Sequence, residues 1–202
     1  SSARAHHKRG AVMLEVVRLW SVPIMIAALA GGLMAGLYSG DVLRIIFGVV
    51  ALFVALNVVL PIQRMLMGHL SGSNLTHRIA AAIVGYVSAL MGVGGGSLSV
   101  PTLAAFGHEM HKAVGTGAAL GVLIAVPGTL GFVVSGWAEA GRPPFSIGYI
   151  NLPALVLIGV VASLMAPFGA ALAHKLDQVW LKRVFALYLL FIGGRMIWQA
   201  LS

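Results

Sequence analysis

The sequence of 202 residues contains no cysteine and few charged residues, which make up 9 % of the chain against about 25 % in soluble domains. The absence of cysteine excludes disulfide bonds and any thiolate metal site. The shortage of charge excludes an ordinary soluble domain, since 59 % of the residues are hydrophobic. This composition predicts an integral membrane protein of the all-α class.

Acidic residues are also scarce, because 5 Asp and Glu stand against 13 Lys and Arg, for a net charge of +8. In a soluble protein this excess would favour binding to nucleic acid. Here the basic residues lie between long apolar segments, where membrane topology and lipid head groups account for them. We therefore expect the lipid bilayer, and not nucleic acid, to be a partner of this chain.

Apolar segments of about 20 residues, long enough to cross a bilayer as a helix, recur along the chain. Six such segments are found, at residues 19–38, 42–60, 79–106, 113–136, 147–173 and 179–201. Together they predict a polytopic transmembrane helical bundle.

A glycine-rich run, Gly-Val-Gly-Gly-Gly-Ser-Leu-Ser-Val-Pro at residues 92–101, interrupts the third segment. Each glycine costs a helix about 1 kcal/mol relative to alanine, and Pro101 cannot donate a helical hydrogen bond. Unwound backbone at membrane depth is tolerated only where it is buried in protein or lines a water-filled cavity. The segment is thus either one broken span or two half-helices that enter and leave on one side.

The first two segments resemble the last two. Pro23 followed by Gly-Leu-Met-Ala at 32–35 recurs as Pro153 followed by Ser-Leu-Met-Ala at 163–166. We therefore predict two homologous repeats in one transmembrane domain, with residues 1–60 as the remainder of the first repeat, 61–77 as a linker and 78–202 as the second repeat.

The placement of Lys and Arg residues relative to the apolar segments reverses from the first repeat to the second. This reversal predicts that the two repeats are inverted in the membrane. If the third segment re-enters, the 13 Lys and Arg residues divide ten to three across the membrane, and if every segment crosses they divide eight to five. The positive-inside rule favours the first arrangement, with the basic loop at residues 6–9 in the cytoplasm.

The glycine run has a functional interpretation and two rivals. A half-helix that starts near residues 97–101, capped by Ser97 or Ser99 and with Pro101 in its first turn, would point free amides into the protein. Such an end attracts a sulfonate, sulfite, sulfate, phosphate or carboxylate. Alternatively, the glycines only allow helices to pack closely. A phosphate-binding loop of a nucleotide enzyme would need a preceding strand and a lysine or acidic partner, which the sequence lacks.

Other polar residues give little sign of chemistry. His108, Glu109 and His111 cannot all point the same way on a helix, so no metal is expected. The apolar segments lack the carboxylate or histidine constellation of a membrane enzyme, so we expect no enzyme, no catalytic residue and no cofactor. We interpret His77 as interfacial, the four tryptophans as mostly belonging to the head-group belt, and Asn57 as an interhelical polar group.

Three stretches resemble the TauE/SafE (sulfite exporter, TSUP) family of membrane permeases. They are the glycine run continued by Thr102 and Leu103, the stretch Lys-Ala-Val-Gly-Thr-Gly-Ala-Ala-Leu at 112–120, and the basic opening at 2–10. The resemblance spans essentially the whole chain. It implies a permease of the bacterial inner membrane for sulfite, organosulfonates or related small anions, and its implied substrate-facing residues are Gly94, Gly95, Gly96, Ser97, Pro101 and Thr116.

The chain departs from the family pattern in two respects. It lacks the first half's own glycine break and about two segments, so we expect it to be the latter part of a longer protein. Gly117 stands where many relatives have serine, which removes one hydroxyl. The sequence predicts a permease for small sulfur-containing or carboxylate anions, and the alternative is a non-transporting membrane scaffold or subunit whose glycines only pack helices.

Overall fold

The computed structural model describes residues 12–59, 73–139, 141–175 and 178–202. Seven α-helices lie in these ranges: α1 Leu14–Met34, α2 Gly40–Val59, α3 Asn74–Met91, α4 Gly96–Ala105, α5 Met110–Ser135, α6 Leu152–Lys175 and α7 Gln178–Leu201. A 3-10 helix, Ala35–Leu37, extends α1, and a small antiparallel hairpin of β1 Ser146–Ile147 and β2 Ile150–Asn151 precedes α6. The basic opening and most of the predicted linker lie outside the described residues.

The helices follow the apolar segments predicted from the sequence. Within the described ranges, four stretches are long and apolar enough to cross a membrane, namely Leu14–Leu37, Gly40–Val58, His111–Ser135 and Arg183–Leu201. α1 begins five residues before its predicted segment because Glu15 and Arg18 are exposed and extend the helix beyond its apolar part. The chain is therefore a helical, multi-pass membrane protein. The division into two inverted repeats stays a prediction.

The third segment is divided into α3 and α4 by the glycine run. α3 ends at Gly92, which has a φ of 62° and a ψ of 20°. This left-handed conformation closes helices commonly and suits glycine because it has no Cβ. The backbone turns at residues 93–95, and α4 begins again at Gly96.

The expected capping of α4 is wrong. Gly95, with a right-handed φ of −55° and ψ of −18°, is the N-cap, and no side chain caps the helix. Neither Ser97 nor Ser99 caps the helix, because the backbone is already helical at Gly95 and Gly96. Pro101 is the sixth residue of α4 and not part of its first turn.

α4 runs back along α3. The ring of Phe106, directly after α4, stacks on His77 near the start of α3, with 3.8 Å between ring centroids. At its other end, α4 lies beside Gly117 and Gly121 in the interior of α5. With 10 residues α4 is about 15 Å long, or half the thickness of the hydrocarbon core.

One hydrophobic core joins α1, α3, α4 and α5. It contains the buried residues Trp20, Ile24, Ala28, Ala81, Val84, Ala89, Leu103, Ala113, Leu120 and Ile124. Trp20 is 0 % and His77 8 % exposed, so both side chains pack inside the protein. Their position at the depth of the membrane interface stays a prediction. They bury together because the Trp20 indole N–H donates to His77 Nδ1 at 3.1 Å, which satisfies both polar atoms.

α2 and α7 form a second packed pair. Their backbones approach closely where Gly48 faces Gly193, since a Cβ on Gly193 would lie 2.9 Å from the Gly48 carbonyl oxygen. α6 is different, because apolar side chains such as Leu157 and Ile158 remain about two-thirds exposed along it. Such a surface is compatible with lipid tails, which are as apolar as these side chains.

Candidate functional site

A cavity of about 590 Å³ lies where the glycine break faces α2 and α7. Its walls are Gly94, Gly95, Gly96, Ser97, Val100 and Pro101 from the break and α4, Gly117, Ala118 and Gly121 from α5, Val54, Asn57 and Val58 from α2, and Phe185 from α7. This volume falls within the range of about 300–1,000 Å³ that is usual for small-molecule sites. The cavity is therefore large enough for a small organic or inorganic ion.

Backbone N–H groups provide the donors of this cavity. The amides of Gly94, Gly95 and Gly96 have no acceptor among the described residues, whereas those of Ser97 and Ser99 donate to the carbonyls of Gly94 and Gly95. Unpaired amides at the start of a helix carry about half a positive charge between them. The break thus presents a partial positive charge in a cavity that no charged side chain of the described residues lines.

Neighbouring glycines of the break have different surroundings. A Cβ added to Gly94 or Gly96 would meet no atom of the described residues within 4 Å, so these two positions face open space in this part of the chain. A Cβ added to Gly95 would lie 2.5 Å from the Gly121 backbone nitrogen and 3.0 Å from the Gly117 oxygen. Gly95 therefore allows α4 to pack closely against α5, whereas Gly94 and Gly96 add no side chain to the cavity.

The structure brings together five of the six predicted site residues. Gly94, Gly95, Gly96, Ser97 and Pro101 all line the cavity.

Thr116 lies elsewhere. Its side chain is completely buried, and its hydroxyl oxygen accepts a hydrogen bond from the Met13 backbone N–H at 3.0 Å. Thr116 thereby connects the start of α1 to α5 and does not line the cavity.

The α2 wall was not among the predicted site residues. Asn57, near the end of α2, is 9 % exposed, and neither its Oδ1 nor its Nδ2 has a hydrogen-bond partner in the described part of the chain. A signal was present in the sequence, since Asn57 is the amide in the long apolar part of α2 that follows Arg44. Its place on the cavity wall could not be inferred, because the sequence does not show that α2 faces the break.

A second, smaller cavity of about 150 Å³ lies on the α3 side of the break. Gly94 and Gly121 line both cavities, so the two are adjacent. Ser88 lines the smaller one, and its buried hydroxyl has no partner within the described residues. The polar groups near the break are thus less completely paired than those of the packed core.

His77 and His108 close the opposite end of the α3 and α4 pair, with ring centroids 6.0 Å apart. Burial lowers the pKa of His77, and the neighbouring His108 lowers it further. Burial also lowers the pKa of His108, with a smaller contribution from the charge of Lys112. Both rings are therefore neutral at neutral pH and add no charge to the protein.

No group of three or more His, Cys, Asp or Glu is placed to hold a metal ion in the described ranges. Glu109, between the two loop histidines, forms an ion pair with Lys112 at 3.3 Å on the protein surface. The carboxylate is thus directed to a lysine of the next helical turn.

A multi-pass helical protein with an uncharged cavity at a broken helix has the construction of membrane transport proteins. Residues 1–196 match the family described as sulfite exporter TauE/SafE. The chain belongs to this family, and the resemblance seen in its motifs is confirmed. It is also 33 % identical over 195 residues to a Haemophilus influenzae protein named "Probable membrane transporter protein", covering 96 % of this chain and 74 % of the relative. No solved structure matches the chain.

Proposed function

We propose that this protein is a permease of the bacterial inner membrane for small anions such as sulfite, organosulfonates or related sulfur-containing or carboxylate anions. The observation that carries the proposal is the open space beside Gly94 and Gly96 on the cavity wall, where the backbone amides have no acceptor among the described residues. Glycines that only packed helices would have neighbours at these positions, as Gly95 has. The transported anion binds at the start of α4 and undergoes no covalent change.

Binding by amides suits an anion at this depth. A lysine or arginine buried in the membrane costs several kcal/mol, whereas the start of a helix offers partial positive charge without that cost. Converging N–H groups also match the several oxygens of a sulfonate, sulfite or carboxylate. Because the attraction is weak compared with a full charge, the anion can leave again, as transport requires.

The same proposal includes a re-entrant path for α3 and α4. Two observations support it: the contact of Phe106 with His77, at the end of α4 and near the start of α3, and the short length of α4. We propose that the repeats are inverted around this hairpin and move relative to each other to give alternating access.

Labelling of single cysteines in intact cells tests the path, because the chain has no native cysteine. With a re-entrant hairpin, a cysteine in place of Arg142 reacts from outside the cell and a cysteine in place of Lys175 does not. A cytoplasmic position 142 would contradict the re-entrant path and leave the binding site to be tested separately.

Thermal stability of the purified full-length protein tests the binding site. We expect the melting temperature to rise with the concentration of one anion class among sulfite, taurine, sulfoacetate, sulfate, phosphate and acetate. Gly96→Leu, which fills the cavity, should abolish this rise and reduce transport in vesicles at least about tenfold, while the unliganded protein still melts cooperatively.

Gly159→Leu is the matched control, because a Cβ at this α6 position also meets nothing within 4 Å. It should retain both the stabilisation and the transport. If no anion stabilises the unmutated protein, the result favours the scaffold hypothesis over the permease hypothesis. If Gly96→Leu and Gly159→Leu bind the anion equally well, the site lies elsewhere.

A further inference from the structure

We propose that the loop between α5 and α6 binds a phospholipid, with one acyl chain in a groove beside Phe145 and the phosphate group paired with Arg142. The groove has a volume of about 530 Å³ and follows the first turns of α6. None of its residues lines the cavity at the glycine break, so the inference stands apart from the proposed function.

The backbone of Phe145 carries the first step. Its φ is 62°, and it is the one residue other than glycine with a positive φ in the described ranges. Hydrogen bonds on both sides hold it there, since the Pro144 carbonyl accepts from Asn151 Nδ2 and the Phe145 carbonyl accepts from the Leu152 N–H. This conformation costs free energy in any residue with a Cβ, and such strain commonly marks a side chain with a function.

The exposure of the Phe145 ring carries the second step. The ring is 78 % exposed, so it adds little to the packing of the described residues. The tip of the hairpin, by contrast, is fixed to α5. There the Tyr149 N–H donates to the Phe132 carbonyl at 3.2 Å, and a Cβ on Gly148 would lie 2.6 Å from the Val133 Cα atom. The loop is thus held in place while a strained aromatic residue stays exposed.

The groove beside this ring carries the third step. Its other lining residues all belong to the first turns of α6, namely Leu152, Pro153, Val156, Leu157 and Val160. They extend over about 12 Å of helix. No polar side chain from the described part of the chain lines the groove. A lipid acyl chain is as apolar as these side chains, and the bilayer supplies it to them.

The depth of the loop favours a whole phospholipid over a partner helix. The loop follows α5, which is long enough to span the membrane, and therefore lies near a membrane surface. It also exposes Trp137 and Tyr149, whose amphipathic rings favour the head-group region. The groove thus begins where the head groups of lipids meet their acyl chains.

Arg142 supplies a positive charge at this depth. It lies three residues before Phe145 and is exposed. Its Nε–H donates to the Glu139 backbone carbonyl at 3.0 Å, and no carboxylate within the described ranges forms an ion pair with it. A planar guanidinium group matches the oxygens of a phosphate, whereas a neutral partner helix would gain nothing from the charge.

Three probes, titrated into the delipidated full-length protein in dodecylmaltoside, test the site. Dioleoylphosphatidylglycerol carries both the acyl chains and the phosphate, dioleoylglycerol has the same chains without the phosphate, and glycerol phosphate has no chains. We expect a dose-dependent rise in melting temperature with the phospholipid. From this dose dependence, its affinity should exceed that of either other probe at least about fivefold.

Two substitutions at residue 145 separate the ring from its backbone. Phe145→Ala removes the ring and keeps a Cβ, whereas Phe145→Gly removes both. Both variants should bind the phospholipid about fivefold more weakly, because apolar contact with the acyl chain is lost. The unliganded melting temperature of Phe145→Gly should lie about 3 °C above that of Phe145→Ala, because glycine adopts a φ of 62° without strain.

Arg142→Gln tests the phosphate contact. It should lower the affinity for the phospholipid to that for dioleoylglycerol and leave the affinity for dioleoylglycerol unchanged. Phe191→Ala is the matched control for the ring, because Phe191 is similarly exposed on α7 and does not line the groove. It should keep the full affinity for the phospholipid.

Four results would overturn the inference. They are no stabilisation of the unmutated protein by the phospholipid, equal affinities for the phospholipid and dioleoylglycerol, unchanged phospholipid affinity in both Phe145 variants, and a fall of several degrees in the unliganded melting temperature of both variants. The last result would mean that another protein segment, and not a lipid, covers the ring.

Discussion

The crossing of α1 with α5 and the break between α3 and α4 are both rich in glycine, but their glycines have opposite surroundings. At the crossing, a Cβ on Gly32 would lie 3.0 Å from the Gly131 Cα atom and 3.1 Å from the Phe132 nitrogen. At the break, a Cβ on Gly94 or Gly96 would meet nothing within 4 Å. The same residue type serves close helix contact in one region and open space in the other.

Polar groups differ between the two regions in the same way. At the crossing, the Ser135 hydroxyl donates to the Gly32 carbonyl at 2.9 Å. Beside the break, Asn57 and Ser88 are buried without partners among the described residues. The Ser135 hydroxyl at the crossing thus has a partner within the described residues, whereas Asn57 and Ser88 beside the break do not.

The largest expected effect is at the crossing. Gly32→Ala should destabilise the protein by about 3 kcal/mol, because even one methyl group displaces the backbone of α5. Thermal unfolding of the purified protein measures the loss. Gly159→Ala is the control and should be neutral or slightly stabilising, since alanine favours the helix and has free space there. Equal melting temperatures for the two variants would contradict the close contact.

The next largest effect on stability distinguishes Gly95 from its neighbour Gly96. Gly95→Ala should cost about 2 kcal/mol, because its Cβ would lie 2.5 Å from the Gly121 nitrogen. Gly96→Ala should leave the melting temperature unchanged, because its Cβ enters open space. Loss of stability in Gly96→Ala similar to that in Gly95→Ala would mean that the break is packed like the crossing. A large residue at 95 is for this reason a poor test of binding.

A smaller effect concerns pH at the other end of α3 and α4. Burial lowers the pKa of both His77 and His108, so the folded protein binds fewer protons than the unfolded chain, whose histidines titrate near pH 6.5. Stability is therefore complete above about pH 6.5 and falls as the pH decreases below it. We expect the melting temperature to drop by a few degrees between pH 7 and pH 5.

His108→Asn should reduce this dependence on pH. The affinity for ethanesulfonate, whose charge is constant over this range, should not follow the melting temperature, because the histidines lie at the opposite end of α4 from the amides of the break. A flat pH profile in the unmutated protein would show that the two rings titrate normally. A loss of affinity that follows the fall in melting temperature would mean that the two ends of α4 are coupled.

The smallest effect compares two hydroxyls. Ser135→Ala should cost about 1 kcal/mol, because it removes the hydrogen bond to the Gly32 carbonyl. Ser88→Ala should be neutral or stabilising, because its hydroxyl has no partner in the described part of the chain. Equal costs at both positions would mean that Ser88 has a bound water or another partner, and would weaken the contrast between the two regions.

Most of the fold could be predicted from hydropathy, because a bilayer allows few structures other than helices of about 20 apolar residues. Predicted segments and observed helices coincide to within a few residues along most of the chain. The predicted N-cap of α4 was wrong because serine is commoner than glycine at this position, and the sequence does not indicate that Gly95 is already helical. The burial of Trp20 and His77 could not be predicted, because their hydrogen bond joins residues 57 positions apart.

The amino-acid sequence by itself determined the membrane class, the positions of the helices, the presence of a break in the glycine run and the family. These follow from composition and local pattern, which act over one or two helical turns. Only the tertiary structure decided that Gly95 packs while Gly94 and Gly96 face a cavity, that Thr116 is bonded to Met13, and that Asn57 lines the site. The physical reason is that each of these depends on what a neighbouring helix places within about 4 Å, and no local pattern encodes that distance.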